Sequence, residues 1–378
     1  MKVVQVLPDL NGGGVERGSL EVAEALVKAG HESIVISAGG NMVAELVAAD
    51  SRHVAWDLGK KSLLTFRHIW AVRKWLIKEQ PDILHLRSRM PAWVVWLAWR
   101  GLPELSRPHL VMTVHGLYSV SAYSAIMLKG EKVIAVSDTV KAYISTQYPD
   151  TDMSKVVRIF RGVDQDDFVY GYQPSAEWTT AWYQQYPQTQ DKIILTLPGR
   201  LTRLKGHHDF IELIERLKLA GLNVCGLIVG GEDPKRKAYA QELLACVNDK
   251  GLGDAIVFTS ARSDIRDIYS ISNAVFSLST KPESFGRTVL EALRMGVATI
   301  GYNHGGVGEI LSAMFPAGKV VLGDAEALDD AVKRVIADKL IPAKSACFTK
   351  QQMLEKTLLV YASLIDTPVI SSPSNKES

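Results

Sequence analysis

The sequence has few cysteines, no long apolar run and almost no net charge, and each absence excludes a class of protein. Cys225, Cys246 and Cys347 are too scattered for a disulfide framework or a zinc site, so we expect thiols in a reducing compartment. No window approaches the roughly 18 apolar residues of a membrane span. The apolar stretch before Asp9 is too short for a signal peptide. A net charge of +2 argues against nucleic acid as a partner. These absences predict a cytoplasmic protein.

Two nucleotide-binding fingerprints are also missing, the G-x-G-x-x-G of dinucleotide enzymes and the G-x-x-x-x-G-K-[ST] of P-loops. The loop after the first predicted strand reads Asn11-Gly-Gly-Gly14 instead. Glycines such as Gly13 and Gly14 let a backbone approach a ligand, and the helix N-terminus behind them favours an anion. A plain tight turn is the other interpretation of this loop.

Short apolar runs alternate with helical patterns, which is typical of parallel α/β sheets. Two series predict two Rossmann-like, doubly wound parallel-sheet domains facing a cleft, at 1–168 and 191–345, with a junction at 169–190. A helix over about 349–366 is expected to pack back on the first domain, and the tail 367–378 to be disordered. The predicted strands lie at 3–7, 32–37, 83–86, 110–113 and 132–136, then at 193–197, 224–229, 256–259, 274–278, 298–302 and 319–321.

Two permanent cations follow the first strand of the second domain, in the loop Gly199-Arg200-Leu-Thr-Arg-Leu-Lys205-Gly206. Ligands of open α/β sheets bind at the carboxyl ends of strands. Arginine can grip phosphate with two hydrogen bonds, and lysine supplies a point charge. The loop therefore predicts a phosphate site, the alternative being a solvated basic loop.

A second candidate segment carries two glutamates eight positions apart, Glu283 and Glu291. Glu283 is predicted in a loop, where its carboxylate can accept hydrogen bonds from sugar hydroxyls. Glu291 is predicted inside the following helix, where it suits a ribose diol; an ordinary helix-start carboxylate and a surface glutamate are the alternatives. Amides at the start of that helix can hold a phosphate oxygen. The donor-binding residues predicted here are Phe285, Gly286, Arg287, Thr288 and Glu291.

Two further loops end predicted strands. His115 follows the strand at 110–113, where it can contact a sugar hydroxyl or the leaving phosphate, unless it is a structural histidine. The loop from Tyr302 to Glu309 is rich in glycine, and we expect it to form a backbone wall beside the ligand.

Together these sites resemble the retaining glycosyltransferases of family 4, which have the GT-B fold. The most specific part is Glu283-x7-Glu291 with Phe285-Gly286 between them. Arg161-Gly-Val-Asp164 is similar to the motif that closes the N-terminal domain, with Arg161 replacing the usual Asn.

The resemblance implies a role for each matching residue. Gly13 and Gly14 would line the donor diphosphate and the acceptor entrance, with Glu16 and Arg89 on the acceptor. Arg200 and Lys205 would neutralise the diphosphate, and Glu283 would hold donor hydroxyls. The remaining implied contacts are Glu291 with the ribose, His115 with the donor sugar, and Arg262 with the base.

The implied reaction transfers a sugar from a nucleotide-diphosphate sugar, best a UDP-sugar, to an acceptor hydroxyl with retention and without a metal or other cofactor. A metal-dependent enzyme would need Asp-x-Asp after a strand. That string occurs at Asp150–Asp152 and Asp164–Asp166, near the predicted junction, and we interpret both as chance. A nonhydrolysing nucleotide-sugar epimerase and a non-catalytic sugar-nucleotide-binding subunit remain as alternatives.

Basic residues outnumber acidic ones between Leu58 and Pro108, and five tryptophans share this region. Arg67, Lys74 and Lys78 fall on one helical face. Such a face can rest on anionic lipid headgroups, or it is a solvated face over a Trp-containing core. The hypothesis is peripheral contact with the inner face of the cytoplasmic membrane, with a lipid-linked or lipopolysaccharide-type glycan as acceptor.

Overall fold

The structure is a computed structural model that describes residues 1–231 and 237–366. The sequence pattern also predicts a helix over about 236–250; its first residue and the predicted disordered tail, 367–378, lie outside these ranges. The chain divides into two compact units. The first comprises Met1–Val136, Val140–Phe160 and the segment from Gln351, and the second comprises Ser137–Thr139 and Arg161–Lys350. No helix of the described residues is long and apolar enough to cross a membrane.

The first unit is built on a parallel sheet with strand order β3-β2-β1-β4-β5-β6-β7. All five predicted strands are present, and two unpredicted strands, β3 and β7, form its edges. Both edge strands are short and carry polar or half-exposed residues, so neither gives the apolar run of a central strand. The strands are β1 Lys2–Val6, β2 Glu32–Ser37, β3 Arg52–Ala55, β4 Ile83–Leu86, β5 His109–Val114, β6 Lys132–Ala135 and β7 Val156–Arg158.

Helices cover both faces of this sheet, as parallel strands require. The sequence pattern also predicts a single helix over about 63–78; the structure has a 3₁₀ turn, Leu63–His68, followed by α3, Ile69–Glu79. The unpredicted α4 buries Met90, Val94 and Ala98 on one side while its tryptophans are half-buried. The helices are α1 Gly14–Lys28, α2 Val43–Ala48, α3 Ile69–Glu79, α4 Arg89–Arg100, α5 Ala122–Ala125 and α6 Asp138–Gln147.

The second unit has a parallel sheet with strand order β10-β9-β8-β11-β12-β13, and all six predicted strands are present. Its strands are β8 Ile193–Pro198, β9 Val224–Val229, β10 Ile256–Phe258, β11 Ala274–Ser277, β12 Thr299–Tyr302 and β13 Lys319–Val320. Its helices are α7 Ala176–Gln185, α8 His207–Leu219, α9 Lys237–Asp249, α10 Ile265–Ser270, α11 Arg287–Arg294, α12 Gly305–Met314 and α13 Ala325–Ala337.

The boundary between the units differs from the predicted junction at 169–190. That segment contains α7, whose Trp182 is buried against Ile194 and Leu227 of the second sheet. It is therefore part of the second unit, whose main segment begins at Arg161. The final helix, α14 Lys350–Ile365, contributes Met353 and Tyr361 to a core with Val3 and Ile83 of the first unit.

In both sheets the order of the strands reverses next to the strand that comes first in sequence. In the first unit the chain moves outward from β1 to β3 and then returns to pair β4 with β1; in the second, β11 returns to pair with β8. Such a switch point leaves a crevice at the carboxyl ends of the two central strands, where ligands bind in open α/β sheets. The loops after β8 and β11 therefore meet, although they are far apart in sequence.

Candidate functional site

The loop after β8 is shaped by a glycine at its end. Gly206 has φ +70°, and a Cβ on it would lie 2.0 Å from the Leu278 carbonyl oxygen, so the position tolerates only glycine. The chain turns there from a 3₁₀ segment, Arg203–Lys205, directly into α8. The side chain of Lys205 is thereby held next to the loop that follows β11.

Lys205 and Glu283 form an ion pair at this switch point. Lys205 Nζ lies 2.8 Å from Glu283 Oε1, and the Ser279 hydroxyl donates to the same oxygen. The two side chains are only 31% and 23% exposed. Burial would raise the pKa of the Glu283 carboxyl, but Lys205, Ser279 and His304 outweigh burial and hold that pKa below its ordinary value. Glu283 is therefore a carboxylate near neutral pH, beside a fixed cation.

The start of α11 is set by Gly286, which has φ +101°; a Cβ there would lie 2.9 Å from Val307 Cγ2. The Phe285 side chain is buried, with its ring edge-on to Phe348, so it anchors the segment. Any ligand contact at this residue must come from its backbone. Thr288, in the first turn of α11, is half-buried.

Glu291 is buried, which excludes the interpretation of an ordinary surface glutamate. Arg287 Nε donates to Glu291 Oε1 at 2.8 Å, one helical turn away. The pKa of Tyr269 is raised by burial and by the neighbouring Glu291 carboxylate. The arrangement holds Glu291 in one orientation, with Arg287 and Tyr269 as its partners.

The glycine loop predicted as a backbone wall is the beginning of α12. The Gly306 amide donates to the Glu283 carbonyl oxygen at 2.8 Å, and a Cβ on Gly306 would lie 2.3 Å from Phe285 Cα. The Gly305–Gly306 pair therefore packs directly against 283–285. The pair therefore supports the backbone of Glu283, the residue that carries the candidate carboxylate.

Two predicted basic residues differ in their surroundings. Arg200 is exposed in the loop after β8, the same loop that carries Lys205. Arg262 donates from Nε and Nη2 to the Asp264 carboxylate, at 2.8 and 2.5 Å, and lies over the Trp182 ring. Its guanidinium is thus engaged with the α7 packing, and its contact with a base stays a prediction.

The first unit places its predicted residues at the carboxyl edge of its own sheet. Gly13 and Gly14 begin α1 and are exposed, and the Glu16 carboxylate covers Gly13. Arg89 at the start of α4 stacks on the rings of Tyr118 and Tyr123 and donates to the Ser124 hydroxyl at 3.2 Å.

His115 follows β5 beside Tyr118, and its backbone N–H donates to the Tyr118 hydroxyl at 3.2 Å. The Tyr118 ring therefore lies beside both predicted residues, His115 and Arg89.

Beneath this edge lies a buried polar chain that the sequence did not predict. His85 Nδ1 lies 2.6 Å from the Tyr361 hydroxyl, and His85 Nε2 lies 2.6 Å from Thr113 Oγ1. Arg87 is 3% exposed and interacts with the same Tyr361 hydroxyl. Burial, with Arg87 and His115 nearby, lowers the pKa of His85, so its ring is neutral. The only signal for this chain is a histidine inside the apolar run Ile83–Leu86.

No group of three or more His, Cys, Asp or Glu side chains that could hold a metal ion occurs at 1–231 or 237–366. One aspartate of each Asp-x-Asp string has a protein partner. Asp152 accepts from the backbone and side chain of Ser154, and Asp164 pairs with Lys350.

Comparison with known proteins covers both halves of the chain. The family described as Glycosyltransferase Family 4 matches residues 12–167, and Glycosyl transferases group 1 matches residues 179–352. Mannosylfructose-phosphate synthase of Agrobacterium fabrum is 33% identical over 147 residues, which are 37% of this chain and 31% of that protein. Spore coat protein SA of Bacillus subtilis is 24% identical over 323 residues, covering 81% of this chain and 80% of that protein.

Solved structures match nearly the whole chain. A glycosyltransferase from Rickettsia africae is 30% identical with a TM-score of 0.84, covering 97% of this chain and 99% of that one. HepE of Anabaena, solved with UDP and glucose, is 19% identical with a TM-score of 0.78, covering 96% and 100%. The lipopolysaccharide outer core galactosyltransferase WaaB is 15% identical with a TM-score of 0.71, covering 96% and 100%. These neighbours confirm the predicted GT-B fold.

Proposed function

Because the chain belongs to the glycosyl transferases group 1 family, we propose that it transfers a sugar from a nucleotide-diphosphate donor to an acceptor hydroxyl with retention and without a metal ion. The observation that carries the proposal is the ion pair of Lys205 with Glu283 at the switch point of the second sheet. Both charges stand at the edge where an α/β sheet binds its ligand.

The chemistry assigned to these residues is electrostatic. Lys205 and the exposed Arg200 neutralise the diphosphate and stabilise it as it departs, which a preorganised site does without reorganisation. Glu283 accepts hydrogen bonds from donor hydroxyls, and Glu291 accepts them from the ribose. The amides of Gly286 and Arg287, at the start of α11, favour negative charge on the donor. In the first unit, the family resemblance assigns His115, Gly13 and Gly14 to the donor, and Glu16 and Arg89 to the acceptor.

Arg200 and Lys205 thus do the work that a divalent cation does in a metal-dependent transferase. A UDP-sugar is the donor we favour, because the structural neighbour HepE holds UDP and glucose. The acceptor we favour is a lipopolysaccharide or another cell-surface glycan. The support for this choice is that the galactosyltransferase WaaB, which shares the fold, is a lipopolysaccharide outer core enzyme.

Purified protein incubated with UDP-, GDP- and ADP-sugars tests the proposal. We expect nucleotide release that depends on an added glycan acceptor, survives EDTA, and gives a product whose anomeric configuration by NMR equals that of the donor. Conversion of the nucleotide-sugar without an acceptor would identify an epimerase. Donor binding without any turnover would identify a non-catalytic subunit, and an inverted product would refute retention.

We also propose that the surface of α3 and the turn before it contacts anionic lipid. Large apolar side chains are exposed there: Leu63 88%, Leu64 72%, Trp70 68% and Ile77 57%. The exposed cations of the same surface are Lys60, Lys61, Arg67, Lys74 and Lys78. Trp70, Lys74 and Ile77 follow the three- and four-residue spacing of one stripe of α3, and Leu63 and Arg67 are exposed on the turn before it. This arrangement suits a headgroup interface.

Co-sedimentation with vesicles tests this surface. We expect wild-type protein to bind anionic phosphatidylglycerol vesicles at low salt but not neutral phosphatidylcholine vesicles, because each cation near the surface contributes about 1 kcal/mol. Leu63→Ser with Lys74→Ser weakens binding several-fold. The matched control replaces an exposed leucine and lysine of α14, Leu359→Ser with Lys356→Ser, and leaves binding unchanged. Equal loss in both pairs, or no wild-type binding, contradicts the proposal.

A further inference from the structure

Ser279 is a buried hydroxyl residue that follows β11 and precedes Glu283 by four positions. The residue is only 4% exposed, and its hydroxyl donates to Glu283 Oε1. Its carbonyl oxygen lies 2.7 Å from His304 Nε2. The next residue, Thr280, donates from its amide to the Leu204 carbonyl oxygen at 2.9 Å. The backbone of Ser279 and Thr280 is thus hydrogen-bonded both to the loop that carries Lys205 and to the residue that precedes α12.

The Glu283 carboxylate uses its two oxygens differently. Oε1 receives both Lys205 Nζ and the Ser279 hydroxyl, whereas Oε2 receives no hydrogen bond from the part of the chain that is described. A carboxylate offers about four acceptor positions. The two donors therefore occupy one oxygen and orient the other, which remains for ligand hydroxyls.

The two donors to Oε1 are not equivalent once a donor molecule is bound. The proposed function assigns Lys205 to the diphosphate, so part of its charge then faces phosphate oxygens. The Ser279 hydroxyl is neutral and buried, and its backbone is held on both sides by His304 and Leu204. Ser279 can therefore keep its hydrogen bond to Glu283 whether the site is empty or filled.

We propose that Ser279 is a positioning residue for the donor sugar: it fixes the orientation of Glu283, and through Glu283 it determines how tightly the sugar is held. This inference rests on the proposed function, because it takes Glu283 as the residue that binds the sugar. The nucleotide diphosphate itself does not depend on Ser279. Loss of the hydroxyl should therefore weaken binding of a nucleotide-sugar while leaving binding of the matching nucleotide diphosphate unchanged.

Calorimetric titration of Ser279→Ala with a nucleotide-sugar and with its diphosphate tests the inference. The pairs UDP-glucose with UDP, GDP-mannose with GDP and ADP-glucose with ADP are first screened on the wild type, and the pair that binds is used. We expect Kd for the nucleotide-sugar to rise about tenfold, the scale of a hydrogen bond to a charged group, and Kd for the diphosphate to change less than twofold. Ser277→Ala, the neighbouring buried serine, is the control and leaves both values unchanged.

A double-mutant cycle separates positioning from a general packing defect. In the Glu283→Gln background, Ser279→Ala should add little, because the carboxylate that it orients is already gone. Equal weakening of sugar and diphosphate binding, or full additivity with Glu283→Gln, overturns the role of Ser279. Unchanged binding in Ser279→Ala overturns only the role of Ser279. A wild type that binds no nucleotide-sugar overturns the proposed function as well.

Discussion

Replacing Tyr361 with Phe tests the buried polar chain of the first unit. Arg87 can only donate, so the Tyr361 oxygen accepts from it and the Tyr361 O–H donates to Nδ1 of the neutral His85. The other ring nitrogen, Nε2–H, then donates to Thr113 Oγ1. The direction of every hydrogen bond in this buried network follows from the fact that Arg87 can only donate.

The substitution removes one oxygen atom, so that Arg87 and His85 Nδ1 each lose a buried hydrogen-bond partner. A hydrogen bond to a charged group contributes about 1.5–3 kcal/mol, and an unsatisfied buried group costs about 1–3 kcal/mol. We expect Tyr361→Phe to lower the free energy of unfolding by about 3 kcal/mol. In a domain of this size that corresponds to a fall in Tm of about 6–12 °C.

Differential scanning calorimetry of the full chain at neutral pH measures the change. Tyr183→Phe is the matched control, since the Tyr183 hydroxyl makes no hydrogen bond with the described residues, and it should move Tm by less than 2 °C. A fall in Tyr361→Phe no larger than in the control would refute the hydrogen-bond chain. A large fall accompanied by loss of the C-terminal helix signal by circular dichroism would assign the energy to helix docking instead.

Three further predictions concern the second unit. Lys205→Met and Glu283→Gln should each lower kcat/KM by about 10²–10³-fold with the far-UV circular dichroism spectrum unchanged, since each removes a contact that the proposed function assigns to the donor; near-normal rates in both contradict the site assignment. EDTA should change turnover less than twofold, because the proposed function assigns the positive charge to Arg200 and Lys205; loss on chelation that manganese restores contradicts this. Burial lowers the pKa of His207 from 6.5 to about 4. Between these values the unfolded chain binds a proton that the folded chain does not, so stability should fall as pH falls, by about 1 kcal/mol per pH unit. Urea unfolding at several pH values should show His207→Gln flattening this slope and the half-exposed His208→Gln keeping it.

The sequence predicted the central strands of both sheets because they are buried on both faces and read as apolar runs. It missed β3, the run Arg52–Ala55, because an edge strand with polar residues lacks that signal. It also placed the beginning of α12 too late, since Gly305 and Gly306 read as loop although they begin the helix. Local sequence patterns reveal buried strands and the usual residues at helix starts. The edge strand β3 is not buried on both faces, and α12 begins with glycines that are more common in loops.

The sequence named the residues of the candidate site but not the contacts between them. Lys205 and Glu283 lie 78 positions apart, and only the return of β11 to β8 brings them together. Ser279 gave no signal, because a serine after a strand is ordinary until its hydroxyl is seen on Glu283. Glu291 could be read as a surface residue from spacing alone, whereas the structure buries it against Arg287.

The helix α14 has a consequence for how the protein is made. The first unit owes part of its core to Met353 and Tyr361, which the ribosome adds only after the whole of the second unit has been synthesised. Domains generally fold as units during synthesis, the N-terminal one first. Here the nascent first sheet must wait with an uncovered apolar patch at Val3 and Ile83, so the second unit can finish folding before the first.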